Sequence, residues 1–313
     1  MLSVLVGDKV MSLTIDSSRK RNSRLRERVI ETALFLCAAS SVLVTLGIMG
    51  VLVFESAAFF DHVSIATFLT DTMWTPLFAD PRYGILPLLS GTLLSTFVAL
   101  CVAAPLGLTM AVYLSEFANP TAREIIKPIL ELLSGVPTVV FGFFALLFVT
   151  PLLQATILPN LPGFNILSAG IVIGIMILPY VASLSEDALR AVPNGLRDGS
   201  LAMGATQLET AFRVVLPAAI SGVAAAFVLG ISRAVGETMV VAIAAGQQPN
   251  LTIDPREPAA TITAYIVQVA LGDLPHGSIG YQSIFAAGLT LLVITLIFNV
   301  FAFWLRAKFR EAY

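Results

Sequence analysis

Residues 197–246 read RDGSLAMGATQLETAFRVVLPAAISGVAAAFVLGISRAVGETMVVAIAAG. The first third is polar and helix-permissive, whereas the run from Pro217 to Gly246 is apolar except for Arg233 and Glu237. Its 30 residues exceed the roughly 20 that cross a ~30 Å hydrocarbon layer. The stretch therefore predicts a membrane helix entered from a polar surface segment. A surface that a partner can grip, joined to two charges inside an apolar helix, suggests a link between events on one face and a path through the bilayer.

The composition of the rest agrees. Of 313 residues, 57% are hydrophobic and 12% charged, against roughly 25% charged in a soluble domain, and the mean hydropathy is +0.89. The class predicted is an all-α integral membrane protein. The net charge of −2 says nothing about partners, and no nucleic acid is expected among them. Cys37 and Cys101 fall inside apolar runs and are expected as small core residues, not as a disulfide or metal site. His62 and His276 lie far apart, so no metal-ligand spacing exists. The chain has no GxxxxGK[ST] phosphate loop, no HExxH and no nucleophile elbow. It cannot hydrolyse ATP by the usual phosphate-loop route, and neither catalytic residues nor a cofactor of its own are expected.

Residues 1–28 form a basic tail ending in Arg19, Lys20, Arg21, Arg24, Arg26 and Arg28, and Met11 offers an alternative start. The apolar run that follows, 29–54, is 26 residues long, longer than the 7–15 of a signal-peptide core, and reads as an anchor helix. Five further spans are expected at 86–115, 128–150, 165–185, 217–246 and 283–306. The apolar stretch 258–271 covers only about 21 Å and reads as an interfacial or re-entrant helix. Residues 29–313 thus form one six-helix domain with both termini on the same side. With the amino end inside, 15 of the 18 Lys and Arg fall in cytoplasmic segments and only Arg82 and Arg256 in outer loops, so both termini are expected in the cytoplasm. The first outer loop, 55–85, carries Trp74, Phe78 and Tyr83, expected as aromatic anchors at the interface. The third, 247–282, is long enough to be a docking surface or a structural lid.

Between the fourth and fifth spans lies the segment 186–217. Pro193-Asn194-Gly195 is a turn signal, helix-permissive residues follow to Met203, and a second helical stretch runs to Leu216 before Pro217. Gly204 between them can take a positive φ. The pattern fits a cytoplasmic helix–turn–helix and equally an ordinary amphipathic connector. Within the fifth span, Arg233 stands near mid-membrane if the helix runs straight, at a cost of about 2.5–3.5 kcal/mol. Glu237, four residues on, would lie one turn away on the same face. Two readings stay open: a self-neutralised structural pair, or an arginine facing a water-lined path and offering an anion its fork of donors. Breaks at Ser134-Gly135-Val136-Pro137-Thr138 and at Pro179 fit a polar path, since freed backbone groups need protein or a wet cavity.

Asp198-Gly199-Ser200, then Gly204, then Val214-x-Leu216-Pro217 resembles the EAA loop of ATP-binding-cassette importer permeases, with the form E-A-A, three residues, G, nine residues, I-x-L-P. Asp stands for Glu, Gly-Ser for Ala-Ala and Val for Ile. In that family the loop sits in a groove of the ATPase subunit and transmits its closure, which would give that role to Asp198, Gly199, Ser200, Gly204, Leu216 and Pro217. Arg233-Ala234-Val235-Gly236-Glu237-Thr238-Met239 resembles the RA-x-GETM signature of the phosphate-specific transport permeases of the PstC type. Tyr113-Leu114-Ser115-Glu116, Gly142-Phe143-Phe144-Ala145-Leu146 and Gly272-Asp273-x-Pro275-His276-Gly277-Ser278 agree with it.

The resemblance covers residues 30–306 and implies a type I ABC importer permease fold in the cell inner membrane, surrounded by lipid. It implies Arg233 and Glu237 in the transport path for inorganic phosphate, and a second homologous permease of type A beside this chain. A dimer of ATP-binding subunits would use ATP and Mg, and a periplasmic or lipid-anchored phosphate-binding protein would deliver substrate. An ion-coupled secondary anion transporter, a permease for another oxyanion and a non-transporting sensor remain the alternatives.

Overall fold

The computed structural model describes the backbone of residues 2–308 and the side chains of residues 26–304 and 308, apart from 273. The tail cations up to Arg24, and Arg306 and Arg310, fall outside the described side chains. Among the described residues the chain is helical, with two isolated β-bridges, Trp74–Tyr83 and Gly246–Ala259. It divides into two compact units, Met1–Phe54 and Glu55–Tyr313.

The first unit is the greater part of one helix, α1 (Leu2–Phe60). Val29, Leu34, Phe35, Leu46 and Phe54 are exposed on it. A helix apolar all round is suited to a hydrocarbon surrounding.

The second unit contains α2 (Ile65–Thr70), α3 (Leu86–Phe117), α4 (Pro120–Ser134) and α5 (Thr138–Thr156). There follow α6 (Ile166–Arg190), α7 (Asn194–Ala202), α8 (Gln207–Ala218), α9 (Ile220–Val235) and α10 (Met239–Ala244). The chain closes with α11 (Ile262–Gly272) and α12 (Ile279–Lys308). Among the described residues, five helices are long and apolar enough to cross a membrane, and six if α8 and α9 count as one bent span.

The core is the contact of α3 with α6, where small residues let the two backbones close up, as in membrane helix pairs generally. Ala99 and Ala103 of α3 are buried against Ala169, Val172 and Ile173 of α6. A Cβ built on Gly174 would stand 2.7 Å from the Ala99 carbonyl oxygen, so only glycine fits there. A second core is aromatic. Phe59, Phe68, Trp74, Tyr83 and Tyr265 meet edge to face, with centroids 5.0–6.2 Å apart. The Tyr265 hydroxyl lies 2.7 Å from that of Ser283.

Several expectations change. The expected 128–150 span is two elements. α4 ends where the Gly135 N–H caps the Glu131 carbonyl, and α5 starts after Pro137, which has no N–H to donate and disfavours helix at Val136. The expected 217–246 span is broken twice, by a 74° bend between α8 and α9 and by the end of α9 at Gly236. α11, expected as interfacial or re-entrant, is packed into the protein: Ile262, Ala264 and Tyr265 are buried and the Ile262 N–H donates to Thr92 Oγ1 on α3 at 3.0 Å. Trp74 and Tyr83 are core residues, while Phe78 alone of the three expected anchors is exposed. Cys37 and Cys101 are free thiols on the surface, not core residues. An apolar run marks a residue as membrane-embedded without telling which side of its helix meets lipid.

Replacing Gly174 by Ala should lower the stability of the detergent-solubilised chain by about 1–3 kcal/mol, the usual range for overpacking. Gly163→Ala, with nothing within 4 Å of the added carbon, should leave the thermal midpoint unchanged. Equal midpoints for the two variants would refute this account of the α3–α6 contact.

Candidate functional site

The predicted loop is two helices. Pro193 precedes α7 as its N-cap residue, and Gly204 does take a positive φ, +87°, between α7 and α8. Thr206 and Glu209 form a capping box at the start of α8: the Thr206 hydroxyl accepts from the Glu209 N–H and the Glu209 carboxylate accepts from the Thr206 N–H. The Ser200 and Thr210 hydroxyls, 2.9 Å apart, tie the helices together. Asp198, Gly199 and Gly204 are exposed and Ser200 half-buried. Leu216 is half-buried and Pro217 exposed, just before the 74° bend into α9. Leu201, Met203, Leu208 and Phe212 are exposed apolar side chains on the same loop.

Two carboxylates anchor this loop to the helix ends around it, and sequence reasoning assigned neither a role. Arg197 donates from Nε to Glu116 Oε2 at 3.1 Å and from Nη2 to Glu116 Oε1 at 2.9 Å. The same guanidinium donates to the carbonyls of Val192 at 2.6 Å and Leu189 at 2.8 Å. Gln207 of α8 donates to the Glu116 carbonyl. A planar fork of five donors makes such a clamp, which lysine cannot reproduce. Glu186, fully buried, faces Arg123 at 2.8 Å, Lys127 at 2.5 Å and Arg190 at 3.7 Å, joining α4 to the end of α6. Burial opposes the Lys127 charge, but its hydrogen bonds to Glu186 and Asp187 outweigh this and raise its pKa above the ordinary lysine value. Between the clamps opens a cavity of about 810 Å³ bordered by Glu116, Arg123, Arg190, Arg197, Asp198 and Gln207. The sequence signal for the clamp was a glutamate closing the second span and an arginine directly before Asp198.

The charged pair of the fifth span is not a pair. α9 ends at Val235, so the expected one-turn relation is lost, and among the described ion pairs none joins Arg233 to Glu237. The Glu237 carboxylate, 8% exposed, accepts instead from the N–H groups of Met239 at 3.1 Å and Val240 at 3.2 Å. Those are the free donors of the first turn of α10. The Glu237 carbonyl accepts from the Thr263 hydroxyl at 2.7 Å, which fastens the break to α11. Arg233 is exposed, and its guanidinium lies over the Tyr180 ring of α6, 4.3 Å from the centroid. A ring face attracts a guanidinium without occupying its N–H donors. The arrangement therefore holds a cation at a helix break with its hydrogen-bonding edge unused, a site chemically suited to an anion.

Residues 103–311 match the family described as binding-protein-dependent transport system inner membrane component. The chain is 34% identical over 297 residues to the probable ABC transporter permease protein YqgH of Bacillus subtilis, covering 93% of this chain and 94% of that one. It is 31% identical over 302 residues to the phosphate transport system permease protein PstC of Mesorhizobium japonicum, covering 88% and 90%. Among solved structures, a bacterial ABC transporter involved in the import of the acidic polysaccharide alginate superposes with a TM-score of 0.64 over 92% of this chain and 100% of that one. At 16% identity, that likeness speaks for the fold alone.

Glu116→Gln and Arg197→Gln should each cost roughly 1–3 kcal/mol of stability, the range for losing a hydrogen bond to a charged group. Combined, they should cost less than the sum, with a coupling energy of about 0.5–3 kcal/mol in a double-mutant cycle read by denaturation in detergent. Strict additivity would mean that Arg197 and Glu116 do not hold each other.

Proposed function

This chain belongs to the binding-protein-dependent transport system inner membrane components, and we propose that its cargo is inorganic phosphate. As a member of that family it is a multi-pass inner-membrane permease subunit of an ABC importer, and ATP hydrolysis is the work of a separate ATPase. The finer reading rests on Arg233, a cation at a helix break with no carboxylate against it among the described residues and its donors unused. Inorganic phosphate carries between one and two negative charges at neutral pH, and a guanidinium fork matches its oxygens. The relative from Mesorhizobium japonicum carries phosphate transport in its name, whereas the one from Bacillus subtilis is named only as a permease. Another oxyanion is therefore the second reading.

In this proposal α7 docks in a groove of the ATPase, with Asp198, Gly199, Ser200 and Gly204 at the contact and exposed Leu201 and Met203 supplying apolar area. Leu216 and Pro217 pass the movement into α9. Closure of an ATPase dimer on ATP and Mg pulls the loop, which lies with both termini on the cytoplasmic side. A second homologous permease of type A supplies the other wall of the path. A periplasmic or lipid-anchored phosphate-binding protein delivers cargo at the opposite end. Arg233 offers its charge to the passing anion, and Glu237 keeps the path open at that point by capping α10.

The first test is to tag the chain in its host at low phosphate and identify what purifies with it. A stoichiometric ATPase and one second permease are expected; a chain that comes out alone would favour a secondary transporter. In the purified and reconstituted assembly, Arg233→Gln should lower phosphate uptake about tenfold or more, given roughly 1.5–3 kcal/mol for a charged hydrogen bond, and Arg233→Lys should retain part of it. Normal uptake by Arg233→Gln would remove Arg233 from the path. Stronger competition by sulfate than by arsenate would favour the other-oxyanion reading.

A further inference from the structure

A groove of about 290 Å³ opens beside Tyr180, the residue whose ring carries the Arg233 guanidinium. It is bordered by Tyr180 and Ser183 of α6, by Lys127, Glu131 and Ser134 of α4, and by Leu229 one turn before Arg233 on α9. We propose that this groove is the exit by which the oxyanion leaves Arg233 toward the loop side, and that Tyr180 is the residue that positions Arg233 at its inner end. The proposal deepens the permease reading and rests on it.

Three observations carry it. The Arg233 guanidinium lies 4.3 Å from the centroid of the Tyr180 ring, and Tyr180 is itself a wall of the groove, so the cation and the groove share one side chain. Two hydroxyls follow along the wall. Ser183 has no hydrogen-bond partner among the described residues, and Ser134 donates to the Glu131 carbonyl at 2.7 Å, a local bond that a passing oxygen can replace. At the far end the Lys127 ammonium is held by Glu186 at 2.5 Å and Asp187 at 3.2 Å. Arg233, with no ion pair among the described residues, adjoins the Tyr180 wall; Ser183 and Ser134 are neutral donors on the same groove; and Lys127 shares Glu186 with Arg123 and Arg190. Conduction needs binding strong enough to admit an ion and weak enough to release it: the unpaired guanidinium supplies the first, and neutral hydroxyls followed by a lysine whose charge is shared with carboxylates supply the second. The Glu131 carboxylate on the same wall adds repulsion that keeps an anion from resting there. A carboxylate partner for Arg233 would have occupied the fork; an aromatic face steers the cation and leaves the fork to the cargo.

The test uses the whole transporter, imported substrate being measured in proteoliposomes. Tyr180→Phe keeps the ring face and should import at no less than half the wild-type rate. Tyr180→Leu should lower the maximal rate about three- to thirtyfold while the half-saturating concentration of binding protein and the stoichiometry of the assembly stay unchanged. A wild-type rate for Tyr180→Leu, or an equal loss in Tyr180→Phe, would overturn the positioning role. For the groove, Ser134→Cys and Ser183→Cys are placed in a background lacking the exposed thiols Cys37 and Cys101. Each is treated in inside-out vesicles with methanethiosulfonates carrying a sulfonate or a trimethylammonium group, and Leu132→Cys, exposed on α4, serves as reference. Labelling of both groove cysteines at least tenfold faster by the anionic reagent, relative to the reference, with loss of import, is expected. Equal rates for the two reagents, or labelling that leaves import intact, would overturn the exit. If the wild-type assembly imports no phosphate, the cargo reading fails by itself, while the labelling preference, which needs no cargo, still decides the groove.

Discussion

In an apolar surrounding every backbone N–H and C=O needs a partner within the protein, and the shape of this chain follows from where that demand is met off the helix axis. α9 can stop at Gly236 because the Glu237 carboxylate takes up two of the amides that start α10, at 3.1 and 3.2 Å. The Glu237 carbonyl is in turn met by Thr263, at 2.7 Å. The stop between α4 and α5 works likewise: the Gly135 N–H closes the last turn of α4, and Pro137 has no amide to leave unpaired. Asn165 opens α6 by accepting from the Ser168 N–H at 2.7 Å.

The buried carboxylates show how the same demand sorts charge. Glu186 is surrounded by cations from α4 and from its own helix, Glu116 is gripped by a single guanidinium, and Glu237 is met by backbone amides. All three are matched by groups that stay in place. Arg233 differs in kind, because a quadrupole and not an anion lies against it. A cation so placed keeps most of its attraction for anions, since a ring face compensates only part of a positive charge.

Much of this was legible in the sequence. Hydropathy and length located the apolar helices, because burial in lipid and burial in protein both demand apolar side chains. Lone turn residues located the loop, and the positive φ at Gly204 followed from its place between two helix-permissive stretches. What hydropathy could not show was where an apolar run stops being one helix. Pro217 to Gly246 is largely apolar and carries only two charges, yet it contains a bend and a stop, and the partners at the stop come from Thr263 and from Glu237 itself. For the same reason Arg233 and Glu237, correctly spaced for a helical pair, do not meet. Trp74 was misread as interfacial because its partner Tyr265 lies about 190 residues further along the chain, beyond any local pattern, and Tyr83 packs in turn on Trp74. Arg197 carries no signal of its own beside the motif it precedes; its role depends on Glu116, 81 residues earlier.

The clamps also constrain how any displacement of α7 can spread. Through Arg197, α7 is tied to Glu116 at the end of α3 and to the Val192 and Leu189 carbonyls at the end of α6. Through Ser200 and Thr210 it is tied to α8, which runs through the bend into α9. A push on α7 therefore divides among α3, α6, and α8 with α9. Tyr180 belongs to the α6 route and Arg233 to the route through α8 and α9. The contact between them, 4.3 Å from guanidinium to ring centroid, is one of the places where the two routes meet again, beyond the close approaches of Gly222 to Ala188 and Gly230 to Val181. An ion pair would resist a difference in their movement more stiffly, since its energy depends on hydrogen-bond geometry as well as distance. A cation over a ring face tolerates sliding, because the attraction is spread over the ring and fixes no single hydrogen bond.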